Sequence, residues 1–172
     1  MSKMRINLGQ IIVITMLVLA GAGAFLFGYT LEERRDEAAI KSLVTGLAEN
    51  LSKTENESTA SALIKVKAVA DAFADPMTLA MDKYAFGDYD RERLLASMGR
   101  YRALVKSAKV SASDIRITIA EKEKASGTFA GRFEGTLKSG PGDVIVKDID
   151  AEFVKTEGRW KIKSLKFTNV LH

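Results

Sequence analysis

Side chains able to do acid–base or nucleophilic chemistry are thinly spread in this sequence. Cysteine is absent, which removes thiol catalysis, thiolate metal sites, disulfides and a lipidated N-terminal cysteine. The single histidine is His172, the final residue, where a tail is a plainer expectation than a site. Asp148, Asp150 and Glu152 alternate along one stretch. Three like charges on one strand face are an acidic stripe for a cation or, more plainly, a solvated face paired to lysines on the next strand. Tyr84, Tyr89 and Tyr101 offer hydroxyls, but no acid or base is spaced to work with them. Lys155, Arg159, Lys161, Lys163 and Lys166 gather near the end; they are a patch for anionic headgroups or an acidic partner, or a solvent face neutralised by neighbouring acids. No phosphate loop, zinc spacing or nucleophile–base pair occurs. No catalytic residue, cofactor or metal site is therefore expected.

The elements that must position these groups fall into three parts. The chain has 172 residues, suited to one domain and an appendage. Between Arg5 and Glu32 there is no charged residue. Leu8 to Tyr29, about 22 residues at 1.5 Å rise each, makes a helix about 33 Å long, matching a hydrocarbon core of roughly 30 Å. The expected organisation is a cytoplasmic tail over 1–7, a transmembrane anchor over 8–29, a juxtamembrane linker over 30–35 and one extracytoplasmic domain over 36–172. The short tail with a free amino group favours a cytoplasmic N-terminus. Ala20, Ala24 and Gly28 repeat at small-xxx-small spacing, a candidate face for pairing two membrane helices. The alternative is a cleaved signal peptide, with Lys3 and Arg5 before an apolar stretch and Ala20-Gly21-Ala22 as the cleavage site. Either way the domain is exported. The net charge is +4, and setting Lys3 and Arg5 aside leaves 24 basic residues against 22 acidic ones. That balance speaks against nucleic-acid binding.

The outer domain begins with an amphipathic helix over Asp36–Lys53, whose apolar stripe is Ile40, Leu43, Val44, Leu47, Ala48 and Leu51. Asn56-Glu57-Ser58 matches a glycosylation sequon but reads as a polar turn. A second helix spans about Thr59 to Ala74, using Leu63, Ile64, Ala70 and Phe73, and stops before Pro76. Met77–Met81 reads as a short strand and Lys83–Tyr89 as a loop. Asp90 caps a third helix to about Ser107, with Leu94, Met98, Tyr101 and Val105 inward. From Ser111 the apolar period falls to two, through Ile115–Ile119, Phe129–Leu137, Ile145–Phe153 and a last strand opening on Trp160 and Ile162. The pattern then moves one place to Leu165 and Phe167, which predicts a β-bulge near Lys163 and Ser164. The expected fold is α+β: an N-terminal transmembrane helix, then about three helices on a bent four-stranded antiparallel meander, with an extra short strand.

Helices first, a strand, another helix, and a meander ending on Gly158-Arg159-Trp160-Lys161-Ile162 resembles the nuclear-transport-factor-2-like superfamily, in its membrane-anchored bacterial form. The resemblance covers about Asp36 to Val170. It implies a strongly bent sheet wrapping the helices into a cone, and it admits isomerases, dehydratases, small-ligand binders and non-enzymatic scaffold domains; the fold does not choose among them. The cone implies a cavity lined by Phe73, Met98, Tyr101, Phe129, Phe133, Phe153 and Trp160. A secretion-type ferredoxin-like fold of similar length would need a helix after Ser111, and none is predicted. The function expected is a single-pass, membrane-anchored, non-enzymatic interaction or scaffold domain of a bacterial cell-envelope assembly. Its partners would be the lipid bilayer, through 8–29, and an envelope protein or a second copy, with no nucleic acid. A binder of a small apolar ligand or lipid and an isomerase- or dehydratase-like enzyme are the alternatives.

Overall fold

The computed structural model describes the backbone of residues 8–81 and 85–169, with side chains over 30–81 and 86–168. The chain divides into two compact units, Met1–Asp36 and Glu37–His172. Helix α1 is Leu8–Leu51. Among the described residues no helix is long and apolar enough to cross a membrane. The expected anchor at 8–29 and the pairing face Ala20, Ala24 and Gly28 lie outside the residues whose side chains are described.

The second unit is an α+β domain with a mixed sheet. After α1 come α2 (Thr59–Ala72), β1 (Phe73–Met81), β2 (Ala85–Tyr89), α3 (Arg91–Leu104), β3 (Val105–Glu121), β4 (Lys124–Leu137), β5 (Gly142–Thr156) and β6 (Arg159–Asn169). The sheet order is β2-β1-β6-β5-β4-β3. The expected four-stranded meander is present as β3 to β6, but the sheet has six strands. β1 joins β6 in parallel, and β2 pairs antiparallel on its outer side. Two corrections follow. Strand β1 begins at Phe73, so α2 ends two residues earlier than its periodicity suggests, and the loop expected over Lys83–Tyr89 contains β2. β1 is held by β6, distant in sequence, and β2 is a five-residue edge strand held by β1; local periodicity registers neither.

Local chemistry sets several boundaries. The Ser58 hydroxyl accepts from Ser61 N–H at 3.2 Å to cap α2, and Asp90 accepts from Arg93 N–H at 2.7 Å to cap α3. Helix α3 stops at Leu104, short of the expected Ser107, because Val105 already pairs with Leu137. In β6, Ser164 faces Glu152 and Ile162 faces Phe153, so Lys163 is the extra residue of the predicted bulge. Glu157 and Gly158 both have positive φ, 52° and 73°, the requirement of a two-residue hairpin turn.

One face of the sheet carries the core. Phe153, Ile40, Met77, Ile162, Val44 and Val69 are fully buried. The α1 stripe behaves as its spacing predicts: Ile40, Val44, Leu47 and Ala48 are buried, with Leu43 and Leu51 packed at the margin. Of the apolar face expected for α2, Ala70 and Phe73 are buried, together with Val69 and Ala72, while Leu63 and Ile64 are exposed. Close approach of strands requires Gly127 and Gly131 in β4. A Cβ would lie 2.6 Å from Ile117 Cδ1 at the first and 2.7 Å from Ile149 Cδ1 at the second. The missing side chains leave room for Ile117 and Ile149 to lie against the β4 backbone.

Candidate functional site

Among the described residues two charged ones are buried, Asp36 and Arg102, and the polar contacts around Arg102 converge where α1 ends. A helix leaves its last carbonyls without internal partners, and here other elements supply them. Ser52 N–H bonds Ala48 O at 3.1 Å. The Arg102 guanidinium donates to Asn50 O and, at 3.4 Å, to Ser52 O. The Tyr101 hydroxyl donates to Leu51 O at 2.8 Å, and Lys65 Nζ donates to Ser52 O at 3.2 Å. The exchange is mutual. Lys53, just past the end of α1, donates to Arg102 O at 2.7 Å and Val105 O at 2.6 Å, the carbonyls at the end of α3. Each helix is thus capped by side chains from beside the other, and cations sit where the helix dipoles are negative.

Glu57 closes the cluster. Its side chain is 3% exposed, with Arg102, 9% exposed, against one carboxylate oxygen. Lys65 Nζ lies 2.9 Å from the other oxygen, Oε1. This second contact is an ion pair without the directionality of a hydrogen bond. Burial raises the Tyr101 phenol above its ordinary value, Arg102 pulls it back and Glu57 adds to the rise. The Glu57 carboxylate faces two cations and the Tyr101 hydroxyl donates to a backbone carbonyl, so both groups are engaged within the fold. The cluster's chemistry is that of a fastening.

Beside it opens a groove of about 790 Å³. It is lined by the α1–α2 connection (Ser52–Glu55), Lys65, and the ends of β3, β4 and β5 around Lys109, Glu134 and Val144. Lysines and carboxylates mix along it, and Glu55 bridges Lys106 at 2.9 Å nearby.

The residues expected to line a cavity are placed as follows. Phe73, Phe129, Phe153 and Trp160 are buried in the continuous apolar core, and Met98 packs against it. Tyr101 and Phe133 meet edge to face with ring centres 6.5 Å apart. None of these residues lines the groove. The acidic stripe takes up contacts on its own sheet: Asp150 faces Lys166, and Ser164 Oγ donates to Glu152 at 2.9 Å. Among the described residues no group of three or more metal-ligating side chains occurs. In the basic cluster near β6, Lys163 donates to Pro76 O at 2.7 Å and Lys155 lies over the Trp160 ring at 5.4 Å. Tyr89 sits under the Arg93 guanidinium at 4.1 Å. The side chains of Tyr84 and His172 lie outside the described residues. Sequence reading missed Glu57 and Arg102 as a pair. The only signal was an arginine among polar neighbours on the inward side of α3, beside Tyr101.

Three helices and a six-stranded mixed sheet in this order have the arrangement of the nuclear-transport-factor-2-like fold. Solved structures agree. A candidate scytalone dehydratase from Novosphingobium aromaticivorans matches with TM-score 0.70 and 12% identity, over 83% of this chain and 89% of that one. The hexachlorocyclohexane dehydrochlorinase LinA-type3 from Novosphingobium barchaimii matches with TM-score 0.67 and 16% identity, over 83% and 91%. The Kfla4162 protein from Kribbella flavida matches with TM-score 0.68 and 17% identity, over 81% and 93%. No family profile and no curated protein matches this sequence.

Proposed function

We propose that this chain is a single-pass, membrane-anchored, non-enzymatic interaction domain of a bacterial cell-envelope assembly. In this reading residues 8–29 lie in the inner membrane and the domain stands in the periplasm, binding an envelope protein or a second copy. The observation that carries it is the distribution of polar groups. The core cluster that runs from Ile40 to Phe153 is apolar. The buried charges of Glu57 and Arg102 are engaged in tying α1 to α3. The concavity that does open, the groove at Ser52–Glu55, has mixed charge and exposed apolar neighbours, as an interaction surface would. The uncharged stretch between Arg5 and Glu32 supports the anchor. The test is membrane extraction combined with a photo-crosslinking amino acid at Lys109 in the groove. The expected result is retention in alkaline-washed membranes and one discrete heavier adduct, absent when the probe sits at Thr118. Release by alkali removes the anchor, and no adduct removes the interaction role.

A second reading is an isomerase- or dehydratase-like enzyme, favoured by the likeness of fold to LinA-type3 and to the candidate scytalone dehydratase. It requires an acid or base facing a cavity within the cone. Binding of a small apolar ligand or lipid requires the same space. Native mass spectrometry of the purified chain separates these readings from the first: a ligand retained in stoichiometric amount would favour the cavity over the surface.

A further inference from the structure

Helices α2 and α3 lie side by side and antiparallel. Arg91, the first residue of α3, bridges Asp71 near the end of α2 at 2.7 Å, and Arg102 near the end of α3 meets Glu57 just before α2 begins. Both helices send buried residues into the same core, Val69 and Ala70 from one and Leu94 from the other. Their opposite faces therefore look away from that core together. On α2 the exposed residues Ala60, Leu63, Ile64, Lys67 and Asp71 follow at i, i+3, i+4, i+7 and i+11. On α3 the exposed residues Glu92, Ala96, Arg100 and Leu104 follow at steps of four.

A helix whose outer stripe faces water carries polar residues there. α2 instead carries leucine and isoleucine, 66% and 69% exposed, and Leu104 on α3 is 65% exposed. Charge is as unevenly placed. The two helices hold six of the 26 basic residues and two of the 22 acidic ones, which is the whole of the chain's net charge of +4. Their two acids are spent within the layer. Asp71 is engaged by Arg91, and Glu92 stands in the first turn of α3, where the helix dipole favours it. Lys67 and Arg100 each stand one helical turn from an exposed apolar side chain and have no ion pair among the described residues.

We propose that the outer face of the α2–α3 layer docks on an anionic bilayer surface. Leu63, Ile64 and Leu104 enter the interface, while Lys67 and Arg100 remain at headgroup level with their charges on lipid phosphates. Interfacial helices divide their residues in this way. Charge selects the occupant. A neutral protein surface would cover the apolar residues and leave both cations without counter-ions, whereas an anionic leaflet supplies counter-ions and attracts each basic residue beside it. The anchor over 8–29 keeps lipid at high effective concentration around the domain, so three apolar residues and two cations suffice for a reversible contact. The proposal rests on the anchor of the preceding reading and adds a second lipid contact, made by the domain itself.

The chain has no cysteine, so one introduced thiol carries a label without background. Full-length Ala60→Cys and Thr118→Cys variants, each bearing an environment-sensitive fluorophore, are reconstituted into vesicles of phosphatidylcholine alone or mixed equally with phosphatidylglycerol. Both vesicle types contain a lipid with a quencher on its headgroup. The expected result is blue-shifted, quenched emission at position 60 in the anionic vesicles only, and none at 118. Salt at about 1 M, where the Debye length is about 3 Å, abolishes it. Lys67→Gln with Arg100→Gln, and separately Leu63→Ser with Ile64→Ser, each lower the quenching at position 60 at least about fivefold, with circular dichroism confirming that the variants stay folded. Equal quenching at 60 and 118, equal quenching in both vesicle types, or no effect of either pair of substitutions overturns the proposal. A shift produced by added polyglutamate and not by the vesicles assigns the face to an acidic polypeptide and also overturns it. An alkaline wash keeps the anchor separate: a chain that stays in the vesicles without a signal at position 60 loses the docking face alone. A chain released by alkali loses the anchor, and the docking that rests on it falls as well.

Discussion

Replacing Arg102 with methionine keeps most of the side chain's stem and removes its charge. The structure sets the scale of the loss. The guanidinium bonds Glu57, Asn50 O and Ser52 O, and Glu57 is only 3% exposed. Leaving a buried carboxylate with one partner fewer costs about 3–5 kcal/mol. Lys65 remains 2.9 Å from Glu57, so the lower end, about 3 kcal/mol, is expected. With a urea dependence of about 2 kcal/mol per molar, the unfolding midpoint falls by about 1.5 M. Arg91→Met is the control. Its bridge to Asp71 has side chains 40% and 53% exposed, and surface pairs contribute about 0–1 kcal/mol. Adding Glu57→Gln to Arg102→Met should recover part of the loss, since the uncompensated charge goes with it. Urea titrations followed by tryptophan fluorescence measure all four proteins. A loss for Arg102→Met no larger than for Arg91→Met, or no recovery in the double variant, refutes the view that this pair fastens α1 to α3.

Three further outcomes are expected. Phe153→Ala removes a ring 1% exposed at the centre of the core and should cost about 3–5 kcal/mol; a loss under 1 kcal/mol in the same titration would show that the centre is not packed as described. Gly131→Val places side-chain atoms where a Cβ alone would lie 2.7 Å from Ile149 Cδ1, so its melting temperature should fall by several degrees for each kcal/mol of overpacking, about 1–3 kcal/mol in all, and an unchanged melt would contradict the close approach. The Tyr101 phenol, raised first by burial, should ionise above the ordinary value of about 10. With the folded-state value higher than the unfolded one, the folded chain holds the extra proton between them, so its stability is full below about pH 10 and falls as pH rises through the folded-state value. The difference in phenolate absorbance between the native chain and Tyr101→Phe reports this directly, and ionisation at or below pH 10 would contradict it.

The fold class followed from two periodicities. The stripe from Ile40 to Leu51 and the alternation from Ile115 onward needed no tertiary information, because each records a face that must leave water. The bulge at Lys163 was visible for the same reason: a one-place shift between Ile162 and Leu165 turns every later side chain over unless a residue is added. Strands β1 and β2 were only partly legible. β2 is five residues at an edge, and β1 pairs in parallel with β6, nearly ninety residues along the chain.

What only the tertiary structure decided concerns charge. Sequence alone determined that the chain has one uncharged apolar stretch, no thiols and a balanced outer domain. Asparagine-glutamate-serine at 56–58 read as a polar turn, and nothing in the local pattern singled out Arg102. Folding buries both Glu57 and Arg102, because the open carbonyls at the end of α1 need donors and those donors need a counter-ion. Leu63 and Ile64 went the other way, exposed despite their hydrophobicity, since the face of α2 that meets the sheet is set by where β1 must begin. Burial of a charge or exposure of a leucine depends on partners brought together across the chain, and local pattern carries no record of them.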